Sequence, residues 1–324
     1  MAESSQWAFP ERLQPRAEEQ RFDLGAALDA VVLLRAEIPA DAFTAPILGT
    51  VRTGNGAVIR EDGLVLTIGY LITEAHSVWL TANDGATVPA HPLAYDQVTG
   101  FGLVQPLGRL GAPALPRGRG TACAVGEEVI VASHGGRPHA LRAEVILKRE
   151  FAGYWEYVLD EALFTAPAHP EWGGSALIGS DGRLLGIGSL LVQESVRGQS
   201  VQGNMMVPVD LLEPIFDDML RIGRPSRPPR AWLGLYATEG SGPPVVRAVT
   251  SDGPADRAGV QPADLLVEVA GDRVMGLADL FRKIWRRGPA GTEIPLTIAR
   301  GGRRLSIRIL SADRSDFLKK PLLH

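Results

Sequence analysis

Apolar residues in the first two thirds of the chain come in short runs separated by Gly, Asp and Asn. Three separators contain an Asp-Gly pair, beginning at Asp62, Asp84 and Asp181, and each lies between two short apolar segments. Such pairs are typical of β-hairpins, because glycine adopts the left-handed conformation that tight turns require. Many short strands with almost no helix predict an all-β barrel or a β-sandwich.

A helical spacing first appears after residue 210. Apolar residues between Leu211 and Leu220 recur at intervals of three and four, which predicts an amphipathic helix. Asp210 is predicted as its N-cap, where a side-chain oxygen would accept hydrogen bonds from free amides, and Gly223 as its end. Residues 224–230 are rich in Pro and Arg and lack apolar periodicity, so they predict a linker between two domains.

The last part of the chain mixes strands and helices. Residues 245–249 and 265–270 are short apolar segments, and apolar side chains at positions 277, 280, 281 and 284 follow a helical spacing. Two alternating segments around Gly301 predict a closing β-hairpin. This part therefore predicts a small α+β domain.

Composition and charge point to an ordinary globular protein. Of 324 residues, 45% are hydrophobic and 22% charged, and the net charge is −4. No basic excess indicates nucleic acid, and no apolar run is long enough to span a bilayer. Residues 1–21 lack the apolar core of a signal peptide, so we expect a cytoplasmic protein if the sequence is full length and a periplasmic one if it is trimmed.

The single cysteine, Cys123, limits the chemistry that this chain can carry. One thiol forms no internal disulfide and builds no cysteine-based zinc site. Its position in the small apolar segment 121–125 predicts a buried structural residue. Neither a cofactor nor a metal is predicted.

Several segments resemble HtrA-type serine proteases in their order and spacing. The resemblance covers about residues 22 to 312 and is carried by the segments 54–67, 96–104, 169–187, 206–210, 232–235 and 253–260. It implies a mainly β fold, with a trypsin-like double β-barrel followed by a PDZ-like α+β domain. The implied division is an arm (1–21), a protease-fold domain (22–222), a linker (223–230), a PDZ domain (231–312) and a tail (313–324).

The chemistry of that family needs a serine nucleophile, a histidine base and an aspartate that orients the histidine. At the matching positions this sequence has Tyr70 for the histidine, Gly100 for the aspartate and Gly173 for the serine. A phenol, with a pKa of about 10, is a poor base at neutral pH. Glycine has no side chain with which to attack or orient. The resemblance thus implies a lost catalytic triad.

Neighbouring residues offer only displaced substitutes. Ser175, the fallback nucleophile, lies two residues beyond Gly173, which is about 6–7 Å along an extended chain, whereas catalytic geometry tolerates errors of roughly 1 Å. The amides of Gly173 and Gly174 would form either an anion-binding nest or, as we favour, a plain tight turn. Structural or surface roles are expected for the other candidates, Asp96, His76, His134 and His169.

By the same resemblance, the second domain would bind extended peptides by strand addition and hold a C-terminal carboxylate in a loop of backbone amides. The matching residues are Trp232, Leu233, Gly234 and Leu235, and on the following helix Leu277 and Phe281 are predicted to line the groove. Trp232 would either cap a pocket or be buried. Occupation of the groove by the protein's own linker or by a neighbouring molecule is an open alternative.

We therefore expect a catalytically inactive HtrA-like homologue that binds peptides or protein C-termini, as an adaptor or chaperone-like protein. One alternative is an active serine endopeptidase with displaced catalytic residues. Another is a regulatory subunit that assembles with an active HtrA-type protease. The family implies trimers, in which Trp7 and Phe9 would support the packing, and no nucleic-acid or membrane partner is expected.

Overall fold

The computed structural model describes residues 7–196 and 198–320, which form two compact units. The first unit contains Met1–Arg149, Glu161–Ser226 and Lys320–His324. The second contains Glu150–Asp160 and Arg227–Lys319. The segment Glu150–Asp160, called the hairpin tip below, is thus separated in sequence from the rest of its unit.

Strands predominate among the described residues. They are β1 (Val31–Glu37), β2 (Val51–Val58), β3 (Val65–Ile68), β4 (Ser77–Thr81), β5 (Thr87–Tyr95), β6 (Phe101–Pro106), β7 (Glu128–Ala132), β8 (Ala140–Gly153), β9 (Tyr157–Ala166), β10 (Ala176–Ile178), β11 (Leu184–Val196), β12 (Gln199–Pro208), β13 (Leu235–Thr238), β14 (Val245–Val249), β15 (Leu265–Val269), β16 (Asp272–Arg273), β17 (Glu293–Arg300) and β18 (Arg303–Leu310). The α-helices are α1 (Leu24–Asp29), α2 (Ala45–Leu48), α3 (Phe216–Ile222), α4 (Pro254–Arg257) and α5 (Leu277–Arg286).

The first six strands close into a barrel in the order β1-β2-β3-β6-β5-β4. Asp62 and Asp84 start two of its turns, where their carboxylates accept hydrogen bonds from the amides of Leu64 and Ala86. Closure removes exposed strand edges and places the inward side chains in one core. The buried side chains of these strands and their turns include Leu34, Leu64, Leu66, Ile68, Leu80, Phe101 and Leu103, all at most 2% exposed.

The next six strands close into a second barrel in the order β10-β11-β12-β9-β8-β7. The predicted turn at Asp181 joins β10 to β11, with the Asp181 carboxylate accepting from the amide of Arg183. The all-β prediction is thus confirmed in the form of barrels rather than a sandwich. The interior includes Val131, Val145, Leu163, Leu177 and Met206, each with 0% exposure.

The helix predicted after residue 210 begins later than expected. Val209–Ile215 is a 3₁₀ helix and α3 starts at Phe216, because Pro214 has no amide hydrogen for an α-helical bond. Asp210 as N-cap is therefore wrong: its carboxylate accepts from the amide and hydroxyl of Thr121, both at 2.9 Å. Gly223 does end α3, with a left-handed φ of 73°.

The beginning of the chain also differs from the expectation. An α-helix precedes the first strand, capped by Asp23, whose carboxylate accepts from the amide of Ala26 at 3.0 Å. From Trp7 onward the arm is attached, and the Trp7 indole donates to Glu171 at 3.0 Å. Phe9 lies edge-on to His169 at 5.0 Å. Trp7 and Phe9, predicted to support trimer packing, therefore make contacts within the chain, and residues 1–6 of the predicted arm lie outside the described residues.

The second unit has one sheet of order β13-β14-β15-β17-β18, with β16 paired to β15. The predicted strands, the helix α5 and the closing hairpin are all present. Apolar side chains of α5 pack with the sheet in one core, to which the hairpin tip contributes Val158, 6% exposed. The core members on α5 are Leu277, Ala278, Leu280, Phe281 and Ile284.

Candidate functional site

Tyr70 lies in the 3₁₀ turn Gly69–Leu71, directly after β3. The turn is held against the start of β6, because the Gly69 amide donates to the Gly100 carbonyl at 2.7 Å. The phenol donates to the carbonyl of Ser189 at 2.9 Å. Burial raises the pKa of Tyr70 far above its ordinary value, so the side chain is a neutral hydrogen-bond donor.

Gly173 lies in the loop that connects β9 to β10. Asn55 holds this loop: its amide donates to the Gly173 carbonyl at 2.7 Å and its side chain to the Glu171 carbonyl at 3.1 Å. A Cβ atom added to Gly173 would lie 2.9 Å from the phenol oxygen of Tyr70. The phenol thus occupies the space that a side chain at position 173 would enter.

The residues after Gly173 make a tight internal turn. Gly174 has a φ of 75°, and a Cβ atom there would lie 1.8 Å from the Asn55 carbonyl oxygen, so only glycine fits. The Gly174 amide donates to the Gly188 carbonyl at 2.9 Å. That amide is therefore not available to an external anion, which favours the plain turn over the nest.

Ser175, the fallback nucleophile, is buried in this turn. Its side chain is fully inaccessible, and its hydroxyl donates to the Trp172 carbonyl at 2.9 Å. A serine nucleophile needs a base within about 2.6–3.2 Å. The partner of Ser175 is a backbone carbonyl, which cannot act as that base.

His169 is buried with both ring nitrogens engaged. Nδ1 accepts from the Glu171 amide at 3.0 Å, so Nε2 carries the hydrogen and donates to the His139 carbonyl at 2.9 Å. Burial lowers the pKa of His169, which keeps the ring neutral. The His134 ring contacts the Ala82 carbonyl at 3.3 Å. Within the described part of the chain, no hydrogen bond joins a serine, threonine or cysteine side chain to a histidine ring.

The acidic candidate is also used structurally. The Asp96 carboxylate accepts from the amide and hydroxyl of Thr99, at 2.9 and 2.8 Å. These bonds shape the turn that ends at Gly100, whose φ is 81°. His76 is exposed, and its backbone amide bonds to the Glu37 carbonyl. The structure thus brings Tyr70 beside Gly173 and Gly69 beside Gly100. None of these four residues supplies a general base paired with a nucleophile.

The second unit contains a loop of backbone amides around a carboxylate. The amides of Leu233, Gly234 and Leu235, called the amide loop, all donate to the side chain of Glu156 in the hairpin tip. The four nitrogen–oxygen distances are 3.1, 3.0, 2.7 and 2.9 Å. Burial raises the pKa of Glu156 to about 7, against the lowering effect of these hydrogen bonds.

One backbone hydrogen bond also joins the hairpin tip to the strand that follows the amide loop. The amide of Ala237 in β13 donates to the carbonyl of Tyr154 at 3.0 Å. Sequence reasoning missed Glu156, because 77 residues separate it from Leu233. Its one available signal was an acid within the aromatic run Tyr154–Tyr157.

The remaining predicted peptide contacts are largely buried. Leu277 is 3% exposed and Phe281 0%. Trp232 packs on Phe317 at 4.8 Å and its backbone pairs with Ala312, which is the buried alternative for this residue. Lining of a groove by Leu277 and Phe281 stays a prediction.

Comparisons with known proteins match two domain families to this chain. Residues 54–187 match the trypsin-like peptidase domain family, and residues 245–300 match the PDZ domain family. The chain combines a trypsin-like peptidase domain with a PDZ domain. It is 25% identical over 285 residues to a probable periplasmic serine endoprotease DegP-like of Halomonas elongata, covering 82% of this chain and 57% of that protein.

The chain is also similar to a second curated protease and to a solved structure. The serine endoprotease DegS of Escherichia coli K12 is 24% identical over 278 residues, covering 79% of this chain and 75% of that protein. The solved structure of the HtrA-type protease AlgW with a decapeptide is 18% identical with a TM-score of 0.53, covering 92% of this chain and 99% of that chain. The latter likeness shows the fold, and the predicted fold class is confirmed.

Within residues 7–196 and 198–320, no helix is long and apolar enough to cross a bilayer. The same residues contain no group of three His, Cys, Asp or Glu side chains arranged to hold a metal ion.

Proposed function

We propose that this HtrA-like protein binds peptides or protein C-termini through its PDZ domain and does not cleave peptide bonds. The observation that carries the second half of this proposal is the contact between Tyr70 and Gly173. A phenol that donates to the Ser189 carbonyl faces a residue with no side chain. No proton acceptor is therefore paired with a nucleophile at this place.

The chemistry supports the inactive form over an active enzyme with displaced residues. Loss of either the serine or the histidine lowers kcat about a millionfold in this type of enzyme. Ser175, the nearest hydroxyl in sequence, is buried and bonded to the Trp172 carbonyl. A rearranged site would require that loop to open, although Asn55 and Gly188 both bond to it.

The proposed peptide binding rests on the amide loop. Its three amides converge on a carboxylate, which is the group that a PDZ domain takes from a peptide C-terminus. The Ala237 amide adds a donor on β13, as strand addition requires. The similar protease AlgW was solved with a decapeptide.

The test for cleavage uses a fluorophosphonate probe and unfolded casein. We expect neither labelling nor cleavage by the purified full chain at concentrations where trypsin gives both. Labelling that a Ser175→Ala substitution abolishes would instead establish the displaced active site. Labelling that survives this substitution would point to a contaminating hydrolase, which active-site mass spectrometry identifies.

The assembly and the compartment of the chain stay predictions. Trimers, or mixed assemblies with an active HtrA-type protease, would be detected by size-exclusion chromatography with light scattering. Trp7 and Phe9 contact His139 and His169 within the chain, and their role in trimer packing stays a prediction.

A further inference from the structure

We propose that the hairpin tip is an internal ligand of the PDZ domain, so that an external C-terminal peptide binds only by displacing it. This inference rests on the peptide-binding function proposed above. It adds an occupant to the groove and names the residues through which this occupant is held: Glu156, Tyr154 and the acids at the two ends of the tip.

Glu156 takes the place of a peptide carboxylate. Both of its oxygens accept bonds from the amide loop, and Oε1 receives three of the four. Glu156 is 6% exposed. A free C-terminus would present the same two oxygens to the same three amides. The tip and a peptide are therefore mutually exclusive at this site.

The backbone of the tip occupies the adjoining strand position as well. Tyr154 lies two residues before Glu156, and its carbonyl accepts from Ala237, two residues beyond Leu235. This spacing equals one repeat of an extended strand. The tip therefore supplies a carboxylate to the amide loop and one backbone acceptor to β13, which are the two kinds of contact used in PDZ recognition.

Charged residues fasten both ends of the tip to α5. The Arg282 guanidinium bonds to Glu150 at the beginning of the tip and to Asp160 at its end. Val158 lies in the apolar core of the unit. Between these anchors, Trp155 and Tyr157 stack with ring centroids 5.5 Å apart. The segment is thus held in a defined conformation.

Other features make the contact reversible. Glu156 has a left-handed φ of 61°, which is unfavourable for a residue with a side chain. Its carboxylate is desolvated, as its raised pKa indicates. The Arg282 pairs involve an exposed Asp160, 92% accessible at the side chain, and exposed pairs contribute little. A peptide carries the same carboxylate without the left-handed residue.

The test measures peptide binding by the full chain. The probe is a fluorescein-labelled Gly-Ser decapeptide that ends in Tyr-Trp-Val with a free carboxylate, and the same peptide with a C-terminal amide is its control. Glu156→Ala vacates the amide loop. Because apparent affinity scales with the fraction of open groove, we expect this variant to bind at least about tenfold more tightly than the unmodified chain. Glu144→Gln, which removes an exposed carboxylate from β8, should leave the affinity unchanged.

A second variant tests the same proposal in case the Glu156→Ala chain does not fold. Arg282→Ala leaves the amide loop intact and releases both ends of the tip, and we expect affinity to rise about two- to fivefold. Hydrogen exchange at the amides of Leu233–Leu235 should accelerate in both variants and not in Glu144→Gln. Unchanged exchange would show that the tip does not protect these amides.

The outcomes separate the two proposals. Equal affinity of the unmodified chain and both variants would overturn the internal ligand while leaving peptide binding in place. Absence of binding by folded variants would overturn peptide binding itself. Binding of the amidated peptide as tightly as the acid would show that the amide loop does not read a carboxylate.

Discussion

The contact between Tyr70 and position 173 predicts an energetic coupling that can be measured. In Gly173→Ala the new Cβ atom would lie 2.9 Å from the phenol oxygen, closer than such atoms normally approach. The phenol must move and loses its bond to the Ser189 carbonyl. A lost hydrogen bond costs about 0.5–1.5 kcal/mol, so with strain we expect a destabilisation of about 1–2 kcal/mol.

Tyr70→Phe removes the oxygen that causes the clash. In this background Gly173→Ala should be nearly neutral, which gives a coupling of about 1 kcal/mol in a double-mutant cycle. The measurement is the free energy of unfolding in urea, followed by circular dichroism for all four chains. Gly174→Ala is the control, because its clash at 1.8 Å is with the Asn55 backbone and Tyr70→Phe cannot relieve it.

A coupling below about 0.5 kcal/mol would refute this reasoning. It would mean that the phenol does not lie against position 173. The proposed loss of catalysis would then lack its structural basis, although the sequence would still have no serine there.

Two further predictions concern titratable groups. Burial lowers the pKa of His169 below its ordinary 6.5, so the imidazole binds a proton more tightly in the unfolded chain than in the folded one. The free energy of unfolding should therefore fall as pH decreases below 6.5, by at most about 1.4 kcal/mol per pH unit. Urea unfolding of the unmodified chain and of His169→Gln between pH 7.5 and 5.5 checks this, and identical pH dependence of the two chains would contradict it. Cys123 is 4% exposed with a pKa raised by burial to about 12, so maleimide should label it in urea and not in the native protein at pH 7.

Local signals in the sequence were sufficient to predict most of the strands. The turns at Asp62, Asp84 and Asp181 are set by neighbouring residues, since each carboxylate bonds to an amide two positions on. The prediction of an N-cap at Asp210 was wrong because the partner of this carboxylate, Thr121, is 89 residues away. A local pattern cannot distinguish a capping carboxylate from one that bonds to another part of the fold.

The two candidate sites, one in each unit, differ in the same way. The positions of Tyr70, Gly100 and Gly173 could be assigned because their flanking strands follow a recognisable order. The role of Glu156 depends on amides 77 to 79 residues further along the chain. Nothing in its neighbourhood indicates such a partner, so the occupied amide loop emerged only from the three-dimensional structure.

The phenol beside Gly173 has an evolutionary consequence. A mutation that gave position 173 a hydroxymethyl group would first meet the Tyr70 oxygen and would find no imidazole, whereas a histidine at position 70 would find nothing to activate. Each first step is without benefit, and the one at position 173 also lowers stability. Tyr70 and Gly173 together therefore make the loss of hydrolysis difficult to reverse. Under the proposed function, a lineage carrying both residues would not regain hydrolysis through any single substitution.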